Sequence, residues 1–191
     1  MNNKITVIGK VAGEPEFAYR FLYEKFYRIT LSVDRNSGVT DNLLVMIPEK
    51  LLGTIRAGML LRVEGQLKPF YLERAKHRRI HIRASKIEAC EHDELKDNNL
   101  VVLKGYVYKE PVHRTTPLGT RLTELMLAVE RDDGKDTCVP CIVWRNKRAE
   151  ILEKWDEVTV TGRLQSRTYN KKQGKDVVQL ETYEVSVQTI E

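Results

Sequence analysis

Short runs of alternating apolar and polar residues recur along the chain. Tyr27, Ile29, Leu31 and Val33 fall on alternate positions, and so do Thr123, Leu125, Leu127 and Val129. This is the period of strands with one face in a core. Val139, Cys141 and Val143 make another such face, which turns Ile142 and Trp144 the other way. Two pieces break the pattern, 48–55 and 147–154, which hold few β-branched residues and predict short helices.

The pattern occurs twice. Lys4-Ile5-Thr6-Val7-Ile8-Gly9-Lys10-Val11 returns as Leu100-Val101-Val102-Leu103-Lys104-Gly105-Tyr106-Val107, Glu14-Pro15 as Glu110-Pro111, and Leu31 to Arg35 as Leu127 to Arg131, all at one shared offset. Arg62 to Leu67 matches Thr159 to Leu164 once a single residue is inserted. Each copy reads as a strand ending near a Gly, a Glu-Pro bend, three strands, a helix, and a strand opening a closing hairpin at Gly65 or Gly162. In about ninety residues that order describes a small closed barrel of the OB type. The expected fold is therefore all-β: two tandem OB-fold five-stranded barrels, each with one short helix. Residues 1–90 form the first, 91–98 a polar, mostly acidic linker, and 99–191 the second. Ala57-Gly58 suits a helix stop, because Gly takes the left-handed conformation readily; Trp155, in the matching place, reads as a local packing residue.

Charge changes the picture at the hairpins. The chain has a formal net charge of +5, and residues 1–96 carry all of it while 97–191 balance. Within the second copy the bases cluster: every charged residue from Arg163 to Lys175 is basic, namely Arg163, Arg167, Lys171, Lys172 and Lys175. Arg163, Gln165, Arg167 and Tyr169 share one strand face, with Leu164 on the other. A cationic face ending in an aromatic ring suits a single strand of nucleic acid, phosphates on the cations and a base on the ring; a solvated basic hairpin has the same composition. The hairpin of copy one is more basic, with Lys68, Arg74, Lys76, Arg78, Arg79 and Arg83 against Glu73. There Gln66, Lys68 and Phe70 share a face, which makes Phe70 the stacking candidate.

Other chemistries find little support. Cys138 and Cys141 spell CxxC, but odd spacing on a strand sends the thiols to opposite faces, and no second CxxC completes a four-ligand zinc site. His77 and His81 would lie about 13 Å apart on one strand. No phosphate-cradling Gly-rich loop and no nucleophile-base set has a recognisable spacing. The expectation is no catalytic residue, no metal, no cofactor and no small-molecule substrate. The apolar runs are too short to cross a bilayer and no signal peptide is evident, so a cytoplasmic protein without membrane contact is expected.

Several stretches of copy two resemble the bacterial single-stranded-DNA-binding protein family. They are Asn99 to Gly105, Val139-Pro140-Cys141-Ile142-Val143-Trp144 with Ala149-Glu150 following, Gly162-Arg163-Leu164-Gln165-Ser166-Arg167-Thr168-Tyr169, and Glu184-Val185. Copy one resembles the family more loosely, in 3–9, 14–16 and 26–35. The resemblance implies that Trp144 and Tyr169 stack bases and that Arg163 and Arg167 lie beside the backbone path. In copy one Pro48 and Leu72 stand at the positions of Trp144 and Tyr169, which predicts one barrel mainly holding phosphates and the other holding bases. The resemblance also implies four barrels per assembly, hence a homodimer, and a role in DNA replication, recombination or repair. The long acidic-tipped tail of housekeeping members is not expected here, since the sequence stops at Glu191, which points to a specialised or primosomal-type relative. A barrel serving as a primosome-like protein–protein adaptor and an RNA-binding protein are the alternatives left open.

Overall fold

The computed structural model describes residues 2–72, 77–91, 98–131, 134–173 and 176–191, with the backbone alone described over 70–72, 77–78, 169–173, 176–178 and at 180. The first half forms β1 (Asn3–Val11), β2 (Glu16–Phe21), β3 (Glu24–Asp34), β4 (Thr40–Pro48), β5 (Leu60–Leu72) and β6 (His77–Ala89). The second forms β7 (Asn99–Val107), β8 (Val112–Thr115), β9 (Arg121–Glu130), β10 (Asp136–Trp144), β11 (Glu157–Gln173) and β12 (Asp176–Ile190). Pairing runs β1-β3-β4-β6-β5 and back to β1, and β7-β9-β10-β12-β11 and back to β7. Each half is thus a closed five-stranded barrel of the OB type, closed by one parallel contact, β4–β6 or β10–β12. β2 and β8 stand outside the rings as hairpin partners of β3 and β9.

The alternation seen in the sequence sets which face is inside. Ile29, Leu31 and Val33, with Leu125, Leu127, Val129, Val139, Cys141 and Val143, are buried in the core. Trp144 is turned out, 44% exposed. The helices are shorter than expected. A 3-10 turn spans Glu49–Leu51, and α1 covers Lys147–Glu150. Each has only to plug a barrel end, with Ile55 in the first and Ala149 and Leu152 in the second, and one turn does this. Gly53, at φ 48°, already breaks the first. Gly58 takes the left-handed conformation at φ 86°, and Trp155 takes it in the matching place at φ 79°. Trp155 packs on Tyr106 with ring centres 5.5 Å apart, as a local packing residue does.

The halves join through their first strands. β1 pairs antiparallel with β7, and Ile5 stands opposite Val101, its own counterpart in the repeat. A local twofold therefore passes between these two residues. One device is repeated on each side of it. Buried Asn3 brackets Leu67, donating to its carbonyl and accepting from its N–H, both at 2.8 Å. Asn99 does the same to Leu164 at 2.7 and 2.9 Å. Each barrel's first strand thereby fixes the root of its own long hairpin, β5–β6 or β11–β12. Of the expected linker, residues 92–97 lie outside the described residues; Asn98 donates to the Asp34 carbonyl at 2.9 Å.

Candidate nucleic-acid interface

The outer face of the second barrel carries a groove of about 580 Å³. Leu122, Ile142 and Trp144 form its apolar side, and Arg35, Arg114 and Arg167 border it. Trp144 ends β10, and the chain turns sharply after it: Arg145 is left-handed at φ 48°. Asn146 then caps α1, its side-chain oxygen accepting from Arg148 and Ala149 N–H at 2.9 and 3.2 Å. Cap and turn hold the indole at the rim. All three arginines are paired with acids, Arg35 with buried Asp41 at 2.6 Å, Arg114 with Glu124 at 3.0 Å and Arg167 with Glu184 at 3.9 Å. Burial holds the Glu184 carboxyl above its usual range. The Arg114–Glu124 pair is exposed, and such pairs are weak, while the Arg167–Glu184 contact is long at 3.9 Å, so a phosphate can take either of these two guanidiniums at small cost.

The matching face of the first barrel is a larger groove of about 970 Å³. Lys68 of β5 and Arg83 of β6 supply charge, and Tyr19 and Phe21 of β2 form an aromatic wall. Buried Phe26 supports that wall: Tyr19 stacks on it at 4.9 Å, and the Arg83 guanidinium lies 4.1 Å from its ring centre. The β2–β3 hairpin continues outward through Phe21, Leu22 and Tyr23, all exposed, with Leu22 left-handed at φ 53°.

His81 lines the same groove, and its pKa is lowered to about 4, first by burial and then by Arg83 and Lys68. The neutral ring is therefore the folded form, while the unfolded chain protonates near 6.5. Stability is unaffected above pH 6.5 and falls as the pH drops from 6.5 toward 4, by roughly 3 kcal/mol in all. Urea midpoints measured across this range should fall for the natural chain and stay flatter for His81→Gln; parallel curves would refute this.

The expected site residues divide by location. Trp144, Arg167 and Lys68 line the two grooves. Arg163 instead donates to Asn98 at 2.7 Å, tying the hairpin root to the junction of the halves. Arg79 lies between the halves on the other side of the local twofold, on a third groove. Phe70, Arg78, Tyr169, Lys171 and Lys172 are placed by their backbone, on the long hairpins. Arg74, Lys76 and Lys175 lie outside the described residues. Sequence reasoning missed Tyr19, Phe21 and Arg114. The signal available was the density of aromatics from Phe17 to Tyr23 on a strand outside the apolar alternation.

Residues 98–191 match the single-strand binding protein family. Single-stranded DNA-binding protein 1 of Streptococcus pyogenes is 35% identical over 103 residues, covering 49% of this chain and 78% of that protein. The chain belongs to the single-strand binding protein family. Single-stranded DNA-binding protein A of Bacillus subtilis is also 35% identical, over 102 residues, covering 49% of this chain and 59% of that one. The chain thus spans somewhat less than two thirds of several curated relatives it matches. The fold extends further than the sequence match. The single-stranded DNA binding protein from Thermus aquaticus superposes with a TM-score of 0.75 at 24% identity, covering 99% of this chain and 91% of that one. The family match falls on the barrel that carries Trp144. Among the described residues no helix is long and apolar enough to cross a membrane.

Proposed function

We propose that the chain binds single-stranded DNA with little sequence preference, by stacking and charge and without chemistry on the strand. The observation that carries this reading is Trp144: a large ring 44% exposed, held at the rim of a groove bordered by Arg35, Arg114 and Arg167. A base has a flat partner there, and its flanking phosphates have cations. The printed names of the relatives, single-stranded DNA-binding proteins, support the same ligand. In this reading Tyr169 and Phe70 add stacking, while Arg167, Lys171, Lys172 and Lys175 on one hairpin and Lys68, Arg74, Lys76, Arg78 and Arg79 on the other hold phosphates. Residues 1–90 and 99–191 are tandem OB domains joined by 91–98. Two copies of the chain pair to give four barrels, acting in the cytoplasm during replication, recombination or repair.

The test uses tryptophan emission with Trp155→Phe as background, so that Trp144 reports alone. Oligo-dT should quench it at low salt, and added salt should restore it. Trp144→Ala should weaken binding by about 1–3 kcal/mol, the range for one stacked base. Emission unmoved by oligo-dT at low salt would overturn the reading.

A further inference from the structure

We infer that a bound strand crosses between the barrels at one place only, beside Pro69 and Arg131, and that the symmetry-related crossing is shut. This rests on the function proposed above. The local twofold creates two junctions, each where the root of one long hairpin meets the other barrel. At the first, Asp41 of β4 meets Ser166 of β11. The Asp41 carboxylate accepts from the Ser166 N–H at 2.7 Å and hydroxyl at 3.2 Å, and from Arg35 at 2.6 and 2.8 Å. Arg35 also donates to the Ser166 carbonyl at 3.2 Å, and the Asn42 N–H to the Ser166 hydroxyl at 3.2 Å. The Asp41 side chain is 1% exposed. Nothing passes through so closed a contact.

At the second junction the repeat has changed both partners. Thr137 stands where Asp41 does, and Pro69 where Ser166 does. A threonine carries no charge, and a proline has no N–H to donate, so this clasp cannot form. A groove of about 670 Å³ opens there instead. Arg79, Lys109, Arg131 and Lys135 line it, with Tyr108 and, among the described residues, a single acid, Asp136. Asp136 accepts from the Tyr106 hydroxyl at 2.5 Å.

This opening is continuous with the faces already described. Pro69 and Arg131 line both it and the groove holding Lys68 and Arg83. On its other side it takes in Met126 and Pro140, an opposed pair of β9 and β10. Along the same outer face of those strands, at alternate positions, follow Glu124, Ile142, Leu122 and Trp144. A strand lying on the first barrel thus meets cations across the junction and reaches the indole without leaving the surface.

The test compares the natural chain with Lys109→Gln/Lys135→Gln, both on the crossing groove, using oligo-dT of about 8 and about 30 nucleotides. One OB fold holds about 4–16 nucleotides, so the short oligomer occupies a single barrel and the long one must cross. Losing two phosphate contacts should weaken the long oligomer about 25-fold at 0.1 M salt and lower its salt slope by about 1.4. The short oligomer should be held as before. Equal losses for both lengths, or no loss for the long one, would overturn the crossing while leaving the function intact. Failure of the natural chain to hold either length would overturn both.

Discussion

Asp41→Ala should lower the folding stability by about 3 kcal/mol, near the lower end for breaking a buried ion pair. The carboxylate is almost wholly buried and accepts from Arg35 and from the Ser166 N–H and hydroxyl. Removing it leaves a backbone N–H and a hydroxyl without their acceptor, each costing about 1–3 kcal/mol if water does not reach it. The Arg35 side chain is a quarter exposed, so water relieves part of its loss, which keeps the total from the upper end. Urea denaturation reads this as a lower midpoint at an unchanged slope. Because the clasp spans both halves, Asp41→Ala and Ser166→Ala should also couple by more than about 0.5 kcal/mol in a double-mutant cycle. A loss below about 1 kcal/mol with additive effects would mean that the clasp is not a structural tie.

Gly162→Ala should cost about 3 kcal/mol or more, and Gly65→Ala as much, because neither site has room for one carbon. A β-carbon on Gly162 would overlap the Ser186 carbonyl, and one on Gly65 the Arg83 carbonyl. Both obstacles are backbone atoms of the partner strand, so no side chain can swing aside. Each glycine sits at a bulge where pairing slips by one residue, between Thr161 and Gly162 or between Glu64 and Gly65. For a chain of this size the melting temperature should drop by roughly 6–12 °C. The shift also re-aims the hairpin beyond, so Gly162→Ala should weaken oligo-dT binding through Arg167 as well as melt early. Melting within about 2 °C of the natural chain would show that the backbone accommodates the carbon.

Most of the fold was legible because its strands have one dry face. The alternation of Ile29, Leu31 and Val33, and its return at Leu125, Leu127 and Val129, places these residues inside the barrels. Gly65 and Gly162 stand out in the repeat as the openings of the hairpins, but their reason, a neighbouring carbonyl, is a contact between strands about twenty residues apart. The helices were overread because residues 48–55 and 147–154 have helical composition, whereas the barrel ends need only one turn each. At the site, the exposure of Trp144 follows from parity alone. The clasp of Asp41 and Ser166 does not, since each looks like an ordinary polar strand residue until the fold brings them together. Tyr19 and Phe21 escaped for a related reason. The repeat points to the positions matching Trp144 and Tyr169, whereas the first barrel presents its rings from β2, outside the closed ring.

The divergence of Asp41 from Thr137 bears on direction. A nucleic-acid strand has two chemically different ends, whereas a pair of identical subunits about a true twofold offers the same lane read either way. Joining the two barrels in one polypeptide frees each position from serving both sides. Here a carboxylate seals one side, and the other side has threonine and proline. A strand laid across this surface therefore meets a sequence of contacts that differs when it is reversed. Under the proposed function, such a surface can favour one 5′-to-3′ orientation of the strand without reading a single base.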